Sequence, residues 1–543
     1  MTPAAPHAGR DVLGWPALAV AVAVAAPGLM NGFAYDDLPL VVENARITRL
    51  LPPWGYFVQS YWPAGGLYRP LSVWFLALQW KLGGGAPWIF HATNVMLHAL
   101  VTGLVYLLAR RLMAPYWAAV AAVLFAVHPV HVEAVANVVG ISELLCCALV
   151  LGAVLLAVRG ARDGFTPGTR MALIACGILA ALSKEQGFVT PALLLATVVL
   201  ACPPARSALR RVAPVAIAMI LLLAVLLFLR AGVLGGLAGD EPAAPLRGLA
   251  PSARMLVALG TVPEWARLLW WPARLSFDYS PPGYVVASAP GPVHVLALLL
   301  LVALVWLAWA GRRRAPAVSL GIAWIGIALL PVSNLILPTG ILLAERTLYL
   351  ASVGAVLAVA GLAALATDGA ASRLVRRAII AAVAVAAILG AGLSVARAAV
   401  WRDNERLLRQ VAIEAPDNYR AHRTLALHLD RQGRLDDAAR EYRRSIELWA
   451  GDARVYEDLA MLLDREGRDA EAVTVLRDGL GVDPAAPTMR SKLYYIQATQ
   501  GDWPAARATA AAGLALGDTM FASLVARADS AQRAASTSTI TAQ

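Results

Sequence analysis

Long apolar runs recur along the first 400 residues, and they limit the possible folds more than any other feature of the sequence. A helix needs about 20 apolar residues to cross the hydrocarbon core of a bilayer, so runs of about 17 to 25 residues are candidate spans. Because backbone groups in lipid must be hydrogen-bonded within the chain, such runs form helices. They predict an all-α, polytopic membrane domain over residues 1–400, with about eleven spans: 12–30, 88–109, 116–136, 139–158, 171–186, 187–202, 212–230, 293–311, 317–337, 347–366 and 377–397.

Charge supports this class of protein. Only 15% of the residues are charged, against roughly 25% in soluble domains. The net charge of +11 comes from arginines in short gaps between the apolar runs, which is a signal of membrane topology, so we expect no nucleic-acid partner. The four cysteines lack the spacing of metal ligands or of a disulfide framework.

Basic loops orient the spans, because short loops rich in Lys and Arg stay in the cytoplasm. Every second loop is basic, so we predict a multi-pass membrane protein with a cytoplasmic N-terminus and an extracytoplasmic C-terminal region. A further span at 255–271 would break this alternation, so we interpret that segment as an interfacial or re-entrant helix. The basic loops lie at 110–111, 159–170, 206–211, 312–314 and 373–377.

This topology places the unusual polar residues on the outer face. They follow span one, end span three, lie between spans five and six, and precede span ten. Ionisable groups near a membrane are costly, so a set on one face predicts a functional site, although each group alone also fits an ordinary helix end or ion pair. The residues are Asp36, Asp37, His128, His131, Glu133, Lys184, Glu185, Glu345 and Arg346.

Two further patterns lie close to these residues. The spacing H-x-x-H-x-E of His128, His131 and Glu133 lacks the H-E-x-x-H order of zinc hydrolases, so we predict no metal site, and assistance by a divalent metal stays open. Between the first two spans, apolar residues at helical spacing over 71–82 predict a helix in the outer interface, beside Asp36 and Asp37.

A repeat of 34 residues organises the chain after Trp401. Aligning at this period superposes Gly433 on Gly467 and Ala438 on Ala472, which is the tetratricopeptide signature, and Gly501 keeps the same phase. We therefore predict a tetratricopeptide-repeat α-solenoid at 401–530, with a concave binding face, followed by a disordered Ser/Thr-rich tail at 531–543.

Motifs in this order resemble a known family. The stretches Y-D-D, H-P-V-H-V-E-A-V, G-I-S-E-L-L, S-K-E-Q-G and E-R-T-L-Y-L-A-S-V-G precede the repeats. This order is similar to that of the transmembrane and tetratricopeptide repeat-containing O-mannosyltransferases and their bacterial relatives, which are C-type (GT-C) membrane glycosyltransferases. The chain departs from the family pattern at Ile141-Ser142, Thr347 and Ala351.

The resemblance implies an activity. It implies transfer of mannose or another hexose from a polyprenyl-phosphate donor to an extracytoplasmic hydroxyl, with protein Ser/Thr as the expected acceptor. The acidic pair Asp36 and Asp37 would be catalytic, and the other polar residues would bind substrate. Adjacent side chains diverge, so only one carboxylate can be the base, and we take Asp37 for that role. Arg346 suits the leaving phosphate.

Other classes of protein stay open at this point. A membrane-anchored tetratricopeptide scaffold for envelope assembly would recruit partners through the repeats without catalysis. A transporter would need ionisable residues near mid-span, and here they lie near span ends. A lipid-linked donor requires no nucleotide-binding loop, and the chain has neither a Walker nor a Rossmann glycine fingerprint.

Overall fold

The computed structural model describes residues 12–63, 65–236, 242–276, 278–280, 289–368 and 372–541. Within these ranges all regular secondary structure is helical, which confirms the predicted all-α class. The described residues fall into two compact units. One lies within Met1–Phe277 and Val286–Leu407, and the other lies within Asp278–Val285 and Leu408–Gln543.

Fifteen α-helices precede residue 401. They are α1 Trp15–Ala25, α2 Ala45–Thr48, α3 Pro70–Gly83, α4 Pro87–Ala109, α5 Pro115–Ala126, α6 Val132–Ala136, α7 Ile141–Asp163, α8 Pro167–Ser183, α9 Thr190–Ala201, α10 Ala205–Leu234, α11 Pro251–Trp270, α12 Pro292–Gly311, α13 Pro316–Leu329, α14 Tyr349–Thr367 and α15 Arg373–Val400. Many begin at proline, whose missing N–H costs nothing in a first turn.

All eleven predicted spans correspond to apolar helices. Among the described residues six helices are long and apolar enough to cross a membrane, and α5 with the helical segment Pro129–Ala136 makes a seventh if this pair, bent by 49°, is one span. The other four apolar helices are shorter. They are Trp15–Met30, Pro167–Ser183, Glu185–Ala201 and Pro316–Val332. The segment predicted to be interfacial or re-entrant forms α11, which is not among the spanning helices.

Helix α3 confirms the helix predicted in the first outer loop. It starts at Pro70 and stops before Gly84, whose φ of +61° glycine adopts without strain. The buried side of α3 carries Val73, Leu76 and Ala77. The predicted apolar stripe lies on the other, partly exposed side, as an interfacial helix requires.

Polar residues mark the interruptions of the apolar helices. The bend after α5 falls at His128, where Pro129 opens a short 3-10 turn. Helices α8 and α9 are separated at Lys184, and a 3-10 turn, Glu345–Leu348, leads into α14. At these breaks the backbone leaves the regular α-helical conformation. Several of the predicted site residues lie at them.

Helices α13 and α14 touch through their backbones. A Cβ added to Gly321 would lie 2.3 Å from the carbonyl oxygen of Gly354, and a Cβ added to Gly354 would lie 2.3 Å from that of Gly321. Small residues permit such close approach in membrane bundles. This contact fixes α14, whose first turn follows Arg346.

From residue 404 onward the helices are α16 Asn404–Glu414, α17 Tyr419–Arg431, α18 Leu435–Leu448, α19 Ala453–Arg465, α20 Asp469–Val482, α21 Pro487–Thr499, α22 Trp503–Ala515 and α23 Phe521–Thr541. Gly433, Gly467 and Gly501 have φ of 75°, 72° and 79° and each joins the two helices of a pair. The 34-residue repeat read from the sequence therefore corresponds to three successive helix pairs.

Replacing Gly321 by alanine should destabilise the membrane unit, because its Cβ would overlap the backbone of α14. We expect a loss of about 1–3 kcal/mol, the usual cost of overpacking. The measurement is the midpoint of thermal unfolding in detergent. Gly326→Ala, on the same helix with nothing within 4 Å of the added Cβ, is the matched control. Equal midpoints for the two variants would contradict the backbone contact.

Candidate functional site

Arg346 is the centre of a charged cluster in the membrane unit. Its Nη1 lies 2.8 Å from Glu133 Oε1 and 3.3 Å from Asp36 Oδ2, and its Nε lies 3.8 Å from Glu143 Oε1. Its backbone N–H also donates to Glu133 Oε2 at 2.7 Å. The structure thus brings together three of the predicted residues, Asp36, Glu133 and Arg346.

Local structure explains these positions. Arg346 lies in the 3-10 turn before α14, and Glu133 lies in the first turn of α6, just after the bend at His128. Both therefore occupy helix interruptions, where side chains can converge. Glu133 is buried, whereas the Arg346 side chain keeps 19% of its surface exposed.

A second buried pair adjoins this cluster. Lys184 Nζ lies 2.5 Å from Glu143 Oε1, and the two side chains are only 3% and 2% exposed. Glu143 lies in the first turn of α7, and Lys184 lies at the break between α8 and α9. Burying two charges costs several kcal/mol per ion, so each of them requires its partner.

A third ion pair joins the first outer loop to the same break. Arg69, just before α3, donates from Nη2 and Nε to Glu185 Oε2 at 2.7 and 3.0 Å. The Arg69 guanidinium also lies 4.9 Å from the centre of the Tyr61 ring. Glu185 is therefore held by Arg69 rather than by its neighbour Lys184.

The two adjacent aspartates occupy different environments. Asp37 is fully buried and accepts hydrogen bonds from the backbone N–H of Ala34 at 3.2 Å and of Val139 at 3.0 Å. Burial raises the pKa of Asp37 to about 7, against the opposing effect of these hydrogen bonds. The Asp36 side chain is 16% exposed and faces Arg346. The geometry favours Asp36 over Asp37 as the carboxylate that reaches a substrate.

The predicted histidines lie among apolar helices. His131 Nε2 contacts Ser352 Oγ at 2.7 Å, and His128 Nε2 contacts the carbonyl oxygen of Leu269 at 3.1 Å. Glu345 Oε1 accepts from the N–H of Ser276 at 2.5 Å. These contacts hold helices and the segment after α11 in place, and a role of the three residues in substrate binding stays a prediction. Among the described residues no group of three or more His, Cys, Asp or Glu has a geometry suited to a metal ion.

Sequence reasoning missed two members of the cluster, Glu143 and Arg69. Glu143 lies within the quoted stretch G-I-S-E-L-L, and Arg69 precedes the predicted interfacial helix. Each is a charged residue at the outer end of a predicted helix. The rule that selected Lys184 and Arg346 would have selected both.

The cluster combines partly exposed and buried charges. The described contacts join four carboxylates, Asp36, Glu133, Glu143 and Glu185, to three cations, Arg69, Lys184 and Arg346. Asp36 and Arg346 keep exposed surface, so a carboxylate and a guanidinium stand side by side for an incoming molecule. Such a pair can accept a proton and hold an anionic group.

Comparison with known proteins agrees with the motifs. Residues 68–229 match the model of the dolichyl-phosphate-mannose-protein mannosyltransferase family. The chain is 27% identical over 505 residues to the human protein O-mannosyl-transferase TMTC1, covering 80% of this chain and 55% of that protein. It is 30% identical over 345 residues to the Caenorhabditis elegans protein O-mannosyl-transferase F38B6.6, covering 60% of this chain and 47% of the relative. The chain is therefore similar to protein O-mannosyl-transferases over most of its own length.

The resemblance read from the motifs is therefore confirmed, and the chain spans less than two thirds of the length of either relative. Among solved structures it is similar to ArnT from Cupriavidus metallidurans bound to undecaprenyl phosphate, with a TM-score of 0.40 and 16% identity, covering 76% of this chain and 81% of that chain. The matched family segment contains Glu133, Glu143, Lys184 and Glu185.

Removing one partner of the Lys184–Glu143 pair should strongly destabilise the membrane unit. Lys184→Met removes the nearer cation of the buried Glu143, whose other cationic contact, the Arg346 guanidinium, is weaker at 3.8 Å, so we expect a loss of about 3–5 kcal/mol. Lys184→Met combined with Glu143→Leu should recover part of that loss. Thermal unfolding in detergent measures both. Lys81→Met, at an exposed lysine of α3, is the control, and an equal effect at both lysines would contradict the buried pair.

Proposed function

We propose that the protein is an integral membrane glycosyltransferase of the C type. It transfers mannose or another hexose from a polyprenyl-phosphate donor to a hydroxyl group of protein Ser or Thr on the extracytoplasmic side. The observation that carries the proposal is the partly exposed Asp36 carboxylate, 3.3 Å from Arg346. The homology to protein O-mannosyl-transferases supports the same reaction class.

The proposed chemistry uses this pair directly. Asp36 accepts the proton of the acceptor hydroxyl, whose oxygen attacks the anomeric carbon of the sugar. The bond between that carbon and the phosphate oxygen breaks, and the polyprenyl phosphate leaves with the bonding electrons. Arg346 stabilises the negative charge of the leaving phosphate. Lys184 is buried against Glu143, so it positions Glu143 near Arg346 rather than contacting the donor.

Asp37 has a positioning role in this proposal. Its carboxylate joins the loop after span one to the N–H of Val139, just before α7. This hydrogen bond places the neighbouring Asp36 near the first turn of α7, which contains Glu143. The proposal thereby exchanges the roles that the sequence suggested for the two aspartates.

The proposed orientation puts the cluster and the repeats outside the cytoplasm of a bacterial inner membrane. The basic residues that support this orientation lie at the C-terminal ends of α4, α7 and α12 and in the first turns of α10 and α15. Arg346 and Glu133 lie at the opposite ends of α14 and of the α5–α6 pair from those basic residues. A non-catalytic scaffold for envelope assembly is the alternative, and it assigns no task to a partly exposed acid and cation in contact.

Asp36→Asn should reduce turnover by about 10² to 10⁴-fold with little change in donor affinity, the range for loss of a general base. The assay measures transfer of radiolabelled sugar from a defined polyprenyl-phosphate donor by the purified protein. Asp37→Asn should act mainly on folding and lower the yield or unfolding midpoint. Glu43→Gln, in the same outer loop, serves as a control. Near-normal turnover in Asp36→Asn would exclude this carboxylate from catalysis, whereas no transfer by the unaltered protein would favour the scaffold.

The repeats should position the acceptor, because the concave face of a solenoid is its usual binding surface. Deleting residues 416–543 should then lower transfer to a folded protein acceptor more than transfer to a short Ser/Thr peptide. The same radiolabel assay, run with both acceptors, measures the ratio of the two transfer rates. Equal losses with the two acceptors would indicate that the repeats have a structural role only.

A further inference from the structure

A groove of about 490 Å³ lies at the other end of the membrane unit from the Arg346 cluster. Arg346 precedes α14, whereas the groove is lined by residues at the C-terminal end of that helix, including Leu365 and Asp368. The 19 residues of α14 rise by about 28 Å at 1.5 Å per residue. This length is close to the hydrocarbon thickness of a bilayer, so the cluster and the groove lie near opposite membrane surfaces.

Two arginines line this groove, and neither has an acidic partner among the described residues. Arg376 donates from Nη2 to the carbonyl oxygen of Thr367 at 3.0 Å, and Arg314 is exposed in the loop between α12 and α13. Within the part of the chain that the structure describes, neither guanidinium forms an ion pair. Asp368 is the one acidic residue among the described residues that line the groove. The groove therefore offers two charged donors for an anion.

The walls of the same groove are apolar. Leu365 and Ile380 expose 50% and 37% of their surface there, although both belong to helices of the membrane unit. Gly361 and Ala364 leave the wall without bulky side chains. An occupant must thus combine an anionic group with an apolar portion.

Two aromatic residues complete the lining at the start of α5. The rings of Tyr116 and Trp117 meet edge to face, with centroids 5.0 Å apart. Tyr and Trp concentrate at the level of lipid headgroups, where one part of the ring is apolar and another meets water. Their position beside the arginines places the groove at a membrane surface.

We propose that this groove binds an acidic phospholipid. Arg314 and Arg376 hold the phosphate, and the acyl chains lie along Leu365 and Ile380. Guanidinium groups bind phosphate with paired N–H donors, and basic pockets between membrane helices favour anionic headgroups. In the orientation proposed above, the lipid belongs to the cytoplasmic leaflet, and the site is separate from the one that would bind the sugar donor.

Lipid binding to the full-length protein in detergent tests this proposal. Native mass spectrometry should show phosphatidylglycerol retained in preference to phosphatidylethanolamine. The double variant Arg314→Gln/Arg376→Gln should bind phosphatidylglycerol about 30-fold more weakly, as two interfacial arginines at about 1 kcal/mol each imply. Arg313→Gln/Arg377→Gln removes the same charge from neighbouring exposed positions outside the groove and should change binding little.

Three results would overturn the proposal. They are equal retention of the two phospholipids, equal losses in the two double variants, and displacement of phosphatidylglycerol by equimolar undecaprenyl phosphate, which would assign the groove to a carrier lipid. A lowered midpoint of thermal unfolding in lipid-free detergent identifies a variant with a folding defect. If Arg314→Gln/Arg376→Gln unfolds early, the single variant Arg314→Gln replaces it in the comparison, because the Arg314 guanidinium forms no hydrogen bond with the described residues.

Discussion

The membrane unit depends on neutralising charges that are wholly or largely buried within the protein. An ion moved into a low-dielectric interior loses several kcal/mol of hydration, and only a close opposite charge with further hydrogen bonds offsets that loss. Arg346 meets this requirement through Glu133, Asp36 and Glu143, and Lys184 meets it through Glu143. The main effect of the cluster is therefore to specify which helices pack together, and its net contribution to stability is smaller.

Broken helices make this cluster possible. A continuous helix satisfies its backbone internally but spreads its side chains around the axis. The bend at His128, the break at Lys184 and the 3-10 turn at Glu345 instead leave short irregular segments inside the protein, where neighbouring elements can bond to them. Glu133 illustrates the result, because one of its oxygens accepts from the backbone N–H of Arg346 and the other from its guanidinium.

The two ends of the membrane unit have different chemistry. At one end acids and bases are nearly balanced, and the exposed surface of Asp36 and Arg346 suits a reaction that moves a proton and releases a phosphate. At the other end Arg314 and Arg376 are unbalanced and lie against apolar walls, which suits the static binding of a lipid headgroup. Helix α14, held by its backbone contact with α13 at Gly321 and Gly354, joins the two ends.

The sequence by itself determined the features that depend on local pattern. The positions of the apolar helices followed from hydrophobic length, and the helix pairs followed from the 34-residue period of Gly433, Gly467 and Gly501, whereas the bend at His128 inside the predicted span 116–136 did not follow from the pattern. Tertiary structure alone decided which charges meet. Arg346 and Glu133 are 213 residues apart and Arg69 and Glu185 are 116 apart, and no local pattern encodes such pairs. It also gave Asp36 and its buried neighbour Asp37 different exposure. That difference depends on the packing of α7 against the loop, so it cannot be read from two adjacent identical residues.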